Sequence, residues 1–217
     1  GIERIRFATS HPKDLNDDVI NAFGELDNLM PALHLPVQSG SNVILKAMHR
    51  RYTREHYLEI IKKLREVRPD IALSTDIIVG FPGETEKDFQ QTYDLIKEVG
   101  YTQVFTFIYS KREGTPAARM EDDTPREVIQ ERFERLVDLV QERALEVNQV
   151  EVGKVIPVLV EGVSKRDETV LMGRSPKNLT VHAPIPEGVS IEDLQGTIIN
   201  VRVDFARAWY LRGQVVS

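Results

Sequence analysis

Apolar and polar positions alternate between two rhythms along the first 120 residues. A two-residue period marks strands over 2–9, 32–37, 71–79 and 101–109. Apolar positions three and four apart mark helices over 17–26 and 53–67, the second carrying Tyr57, Leu58, Ile61 and Leu64 on one stripe. Another helix opens at Thr85, where Thr85 and Asp88 have the spacing of a capping box, and closes at Gly100. Strands separated by helices need crossover connections and therefore pair in parallel. This part is α/β, either a barrel or an open doubly wound sheet.

The rhythm changes at Thr124-Pro125, which reads as an N-cap followed by a first-turn proline. One long amphipathic helix follows, with Ile129, Phe133, Leu136, Val137, Val140, Ala144 and Val147 on its apolar stripe. Beyond Gly153 the helical period is lost. Short β-rich runs separated by turn residues ("VIPVLVEGV", "TVLMGRS", "LTVHAP", "TIINVRVDF") predict a small all-β barrel. The expected domains are 1–150 and 151–217.

Composition adds further constraints. The 217 residues suffice for one large domain or for one medium and one small core, and a 41% hydrophobic, 29% charged chain is ordinary for a globular protein. No apolar run approaches the ~20 residues of a membrane span, so a cytoplasmic protein is expected. The net charge of -6 lies in the first 150 residues, with 20 Lys and Arg against 26 Asp and Glu, while 151–217 hold 8 against 8. With zero cysteines, disulfides, zinc-thiolate sites and cysteine-held clusters are excluded within these residues. The strand pattern begins at residue 2 with neither methionine nor capping turn, which suggests that a longer protein has been cut.

Candidate chemistry concentrates at two strand ends, where parallel α/β folds collect ligands. In "LHLPVQSGSNVILKAMHRRYT" an apolar strand delivers Gln38, Ser39, Gly40 and Ser41, and His49, Arg50 and Arg51 follow one short helix later. In "STDIIVGFPGET" period-two counting puts Ser74, Asp76 and Ile78 on one face and Thr75, Ile77 and Val79 on the other. A buried Asp76 carboxylate would need a cationic or hydroxyl partner. Gly80 permits close backbone approach, Pro82-Gly83 signals a type II turn, and the helix start at Thr85 offers free N–H groups. Without a lysine at the turn, a triphosphate is disfavoured. A zwitterionic nucleoside suits these groups better, with Asp76 facing an ammonium or ribose hydroxyl and Arg50 a carboxylate.

These two stretches and "YSKREGTPAA", in this order, resemble the radical S-adenosylmethionine methylthiotransferases, and most closely the branch acting on tRNA. The ribosomal-protein branch tends to have "IQHGS" where this chain has "VQSGS". The resemblance covers nearly the whole chain, since residues 151–217 look like the RNA-binding TRAM domain of that family. It implies a partial (β/α) barrel with about four of six strands present, followed by the TRAM-like barrel. It also implies an S-adenosyl-L-methionine site lined by Gln38, Ser39, Arg50 and Asp76, with the backbone of Ile78, Val79 and Gly80 against the adenine. The loop Ser110 to Thr115 would face substrate.

The implied reaction is methylthiolation at C2 of N6-isopentenyladenosine, position 37 in the anticodon stem-loop of tRNA. The family uses two 4Fe-4S clusters held by cysteine triplets. None is ligated here, so these residues by themselves are expected to be inactive. In the last third, Arg202, Arg207 and Arg212 interleave with Phe205, Trp209 and Tyr210, and Arg174 flanks "GRSPKN". Arg174, Arg202 and Arg207 are the expected RNA contacts, through phosphate pairing beside base stacking. Two alternatives are a methylthiotransferase of the ribosomal-protein branch and a non-catalytic RNA-binding module.

Overall fold

A computed structural model describes residues 1–9, 11–121 and 124–216. It separates into two compact units, Gly1–Gln141 and Glu142–Ser217. The first is a sheet of four parallel strands in chain order, β1 (Ile5–Ala8), β2 (Leu29–His34), β3 (Ala72–Val79) and β4 (Gln103–Ile108). Its connections are α1 (Asp17–Glu25), the short α2 (Asn42–Ala47), α3 (Arg54–Val67) and α4 (Glu86–Val99), and the long α5 (Arg126–Gln149) follows β4. Strands β1 and β4 form the two edges of the sheet.

Local sequence explains the helix limits. Asn16, Thr53 and Thr85 each accept a backbone N–H three residues on, which satisfies an otherwise unpaired donor. The capping box at Thr85 and Asp88 forms as its spacing predicts, and Gly100 closes α4 in the left-handed region at φ 63°. One face of the sheet is buried against the helices. Leu33, Leu73, Ile77 and Val79 pack there with Tyr57, Leu64, Phe89 and Leu95 in a single core. The opposite face stays half open. Ser74, Asp76 and Ile78 alternate with buried neighbours along β3, as the period-two pattern requires.

Strand β2 departs from the expected 32–37. It begins at Leu29, and Pro31 lies where the β1–β2 register is irregular, a place where a missing N–H is tolerated. It ends at His34 because Pro36 cannot donate to the ladder. The chain nevertheless keeps beside β3. Leu35 N–H donates to Ser74 O at 2.8 Å, and Val37 N–H to the Thr75 hydroxyl at 2.9 Å.

The second unit holds a closed five-stranded barrel, in the order β5 (Val155–Ser164), β6 (Asp167–Arg174), β7 (Thr180–Pro184), β9 (Tyr210–Val216), β8 (Ile198–Ala206), with a one-turn helix α6 (Ile191–Leu194) before β8. Val158, Val160, Leu171, Val181, Val201, Val203 and Leu211 fill it. Four β-rich runs were legible in the pattern; the fifth strand, β9, closes the barrel by pairing parallel with β7 and antiparallel with β8.

Candidate functional site

The two polar strand ends meet. Gln38, Arg50, Asp76 and Ile78 line one cleft of 510 Å³ in the first unit, together with Phe107, Tyr109, Ser110, Arg112 and Thr115. Gln38 is reached through a strained backbone, its φ of 74° lying in the left-handed region that non-glycine residues avoid. Both of its backbone groups are fastened to β3: its N–H donates to Asp76 O at 2.9 Å, and its carbonyl accepts Ile78 N–H at 3.0 Å. These bonds hold the strain and fix where the side chain leaves the chain.

The loop after Gln38 is bolted to α4. Thr92 Oγ1 accepts Gly40 N–H at 2.9 Å and lies 3.2 Å from Ser39 Oγ, while the Ser41 hydroxyl donates to Asp88 Oδ1 at 2.6 Å. A Cβ at Gly40 would lie 2.5 Å from Gln91 O, so only glycine fits. Burial works to raise the Asp88 carboxyl, but the Ser41 and Thr85 hydroxyls outweigh it and hold the group below the usual carboxylate range. Ser39 is therefore turned into the protein and does not line the cleft, contrary to expectation. Its contribution is to shape the loop.

Asp76 also differs from expectation. Its side chain is 28% exposed, not buried, and its partner is His34, with Nε2 at 3.6 Å from Oδ2. Arg50 has no ion-pair partner among the described residues. Its charge helps hold the nearby His11 imidazole below its ordinary range, after burial of that ring. Tyr52 packs edge-on against His11 and donates its hydroxyl to Val37 O at 2.9 Å. Burial pushes that phenol up to about 12, so it remains a donor.

At the turn, Ile78 contributes its side chain to the cleft, whereas Val79 is wholly buried in the core. Gly80 has φ 71°, and the place of its missing Cβ is filled from α5, with Ile129 Cγ2 at 2.6 Å. The close approach that this glycine permits is thus to a helix side chain. Its N–H is also taken, donated to Glu84 Oε2 at 2.8 Å. Glu84 is buried 3.8 Å from Arg132 Nη1, and Arg132 also donates to Glu84 O at 2.9 Å. Sequence reading missed Glu84 and Arg132, because their pairing spans 48 residues. It also missed Phe107 and Tyr109 in the cleft. The Tyr109 hydroxyl is buried without a partner among the described residues, a group that a polar ligand in the cleft would satisfy.

Residues 1–96 match the Radical SAM superfamily and residues 149–216 the TRAM domain. The chain joins a radical SAM region to a TRAM domain. Over its whole length it is similar to proteins named tRNA-2-methylthio-N(6)-dimethylallyladenosine synthase. Identity is 53% for that of Alkaliphilus oremlandii (strain OhILAs), 52% for Thermoanaerobacter sp. (strain X514) and 50% for Clostridium botulinum (strain Okra / Type B1), of which the chain covers 45%, 45% and 47%. The chain spans about half the length of these curated relatives. Among solved structures it resembles coproporphyrinogen III oxidase (HemN) from Escherichia coli, a radical SAM enzyme, with a TM-score of 0.54 at 13% identity over 80% of this chain and 46% of that one. That likeness concerns fold alone. The parallel sheet is the radical SAM partial barrel, and the closed five-stranded barrel is the TRAM domain.

On the TRAM barrel the cations and aromatics gather on the outer face of β7, β9 and β8. Phe205 lies beneath two guanidinium groups, Arg212 at 4.5 Å and Arg207 at 5.1 Å from its ring centre. His182 meets Tyr210 edge-on at 5.6 Å, and Trp209 is 46% exposed. Neither Phe205 nor Trp209 belongs to the barrel core. Arg202 is exposed on β8, opposite Gln214. Arg174 is already engaged, 3.4 Å from Glu161 and donating to Asn178 O.

Proposed function

We propose that this chain is part of a tRNA methylthiotransferase, in which the radical SAM cleft binds S-adenosyl-L-methionine and the TRAM barrel binds the anticodon stem-loop. The observation that carries the reading is the convergence of Gln38, Arg50, Asp76 and Ile78 on one nucleoside-sized cleft, in a chain half identical to proteins named as synthases of a methylthiolated tRNA base. Arg50 has the fixed fork that suits a carboxylate, Asp76 accepts from an ammonium or ribose hydroxyls, and Gln38 supplies both a donor and an acceptor. Ile78 and Phe107 give a planar base an apolar wall. The orphaned Tyr109 hydroxyl gains a partner once a polar ligand enters.

When bound, the cofactor supplies hydrogen removal from the acceptor base and the methyl group of the product. Iron–sulfur clusters do not fit these residues: the chain has no cysteine, and no group of three or more metal-holding side chains occurs among the described residues. This reading assigns the 4Fe-4S clusters to other parts of the enzyme. Outward Arg202, Arg207, Arg212 and Trp209 support RNA binding by phosphate pairing and stacking, with Arg174 at the margin of that face. No helix among the described residues is long and apolar enough to cross a membrane, which suits an enzyme of cytoplasmic tRNA.

Calorimetric titration of S-adenosylmethionine into the complete, cluster-loaded enzyme tests the cofactor site. Asp76→Ala is expected to weaken binding at least about tenfold; unchanged affinity would remove the assignment. Deleting residues 151–217 should cost more tRNA affinity than cofactor affinity, and the reverse order refutes the role given to the barrel.

A further inference from the structure

Behind Asp76, on the open face of the sheet, stands a polar array that the cleft itself does not use. His34 ends β2 directly opposite Ser74 of β3. Its Nδ1 lies 3.0 Å from Ser74 Oγ, and its Nε2 3.6 Å from Asp76 Oδ2. The imidazole is half-buried, in a T-shaped contact with the Phe105 ring whose centre lies 5.9 Å from its own, and Phe105 stands opposite Asp76 in the β3–β4 register. His34 is thus held by a hydroxyl on one side, a carboxylate on the other and an aromatic ring. It is the ion-pair partner of Asp76 among the described residues.

The arrangement restricts which ring nitrogen carries the proton. Were Nδ1 to donate to Ser74, a neutral ring would turn the Nε2 lone pair toward the Asp76 carboxylate, and like partial charges would face each other. With the Ser74 hydroxyl donating to Nδ1, Nε2 carries its hydrogen toward Asp76 and attraction replaces repulsion. At 3.6 Å this contact is longer than a hydrogen bond. A small turn of the carboxylate shortens it, as catalytic contacts commonly tighten when ligand arrives. Oδ2 is then occupied from behind, leaving Oδ1 to face the cleft.

Resting on the cofactor reading above, we propose that His34 is a positioning residue for S-adenosylmethionine: with its tautomer set by Ser74, it holds one oxygen of Asp76 so that the other presents to the cofactor's ammonium or ribose hydroxyls. The logic is that of an outer partner orienting a residue that touches the ligand, whose loss typically costs 10–100-fold in the comparable case of metal ligands. Asp76 lines the cleft and His34 does not, so the effect of His34 must pass through Asp76.

That dependence gives the test. In the complete, cluster-loaded enzyme, His34→Ala should raise the dissociation constant for S-adenosylmethionine by about tenfold. His34→Gln should recover most of the loss, because an amide N–H can stand where Nε2–H stood. Combined with Asp76→Asn, His34→Ala should add almost nothing, a non-additivity that a general structural role would not produce. In the cluster-free protein labelled with ¹⁵N-histidine, the His34 ring should be protonated at Nε2, and Ser74→Ala should shift its tautomer balance. Wild-type affinity in His34→Ala, additive losses in the double variant, or an Nδ1-protonated ring would each overturn the inference while leaving the cofactor site intact. Wild-type affinity in Asp76→Asn would instead bring down the cofactor reading itself.

Discussion

Glu84 offers a quantitative test of how the turn after β3 is held. Its side chain is 1% exposed and its Oε2 accepts the Gly80 N–H, with Arg132 nearby. Burial pushes the carboxyl up from its ordinary 4.5 to about 7, against the opposing pulls of the Gly80 N–H and Arg132. A raised carboxyl keeps its proton in the folded state across this window, while the unfolded chain has already released it. Stability therefore falls as pH rises through the window. At about 1.4 kcal/mol per pH unit, the span from 4.5 to about 7 amounts to a loss of about 3 kcal/mol. Glu84→Gln keeps a carbonyl oxygen for the Gly80 N–H and cannot ionise. The variant should therefore gain about 3 kcal/mol relative to wild type between pH 4.5 and 8, the other titrating groups cancelling in the difference. Urea unfolding followed by far-ultraviolet circular dichroism at several pH values measures it. Trp209, the chain's one tryptophan, lies in the other compact unit and serves as an internal control. A difference between the two proteins that stays constant with pH would refute the reasoning.

Three further outcomes are expected. Gly80→Ala combines a left-handed backbone with a methyl group 2.6 Å from Ile129 Cγ2, and should cost about 2–4 kcal/mol in denaturant unfolding; a loss under about 0.5 kcal/mol would mean that the turn is looser than described. Arg50→Lys keeps the charge but loses the planar fork, so the cofactor dissociation constant measured by calorimetry should rise about tenfold or more, and wild-type affinity would make Arg50 a surface residue. Trp209→Ala should weaken binding of the anticodon stem-loop by about 1–3 kcal/mol in filter binding at fixed salt while leaving barrel unfolding unchanged, and undiminished affinity would take Trp209 off the RNA surface.

Local rules carried the reading of this chain as far as their range. The capping box at Thr85, the glycine stop at Gly100 and the alternation along β3 each involve neighbours within a few residues, and all three are present as expected. Convergence of Gln38, Arg50 and Asp76 on one cleft also follows from strand ends of a parallel sheet. The two-residue period misses the limits of β2 because two prolines act oppositely, Pro31 absorbed by an irregular register and Pro36 ending the ladder. The family motif points Ser39 toward the cleft, but its hydroxyl faces Thr92, 53 residues away, a contact with no local signal. His34, Glu84 and Arg132 escaped notice for the same reason. Each acquires meaning only from a partner brought close by the fold.

Both margins of the radical SAM sheet carry a practical consequence. β1 and β4 each present a row of main-chain donors and acceptors on their outer side, and Phe105 and Phe107 stand exposed along β4. Such margins recruit further strands, and another molecule of the same chain is the nearest supply. Expressed by itself, this polypeptide should grow stickier with concentration whatever the salt, and a covering strand supplied in trans should keep it dispersed where added electrolyte does not.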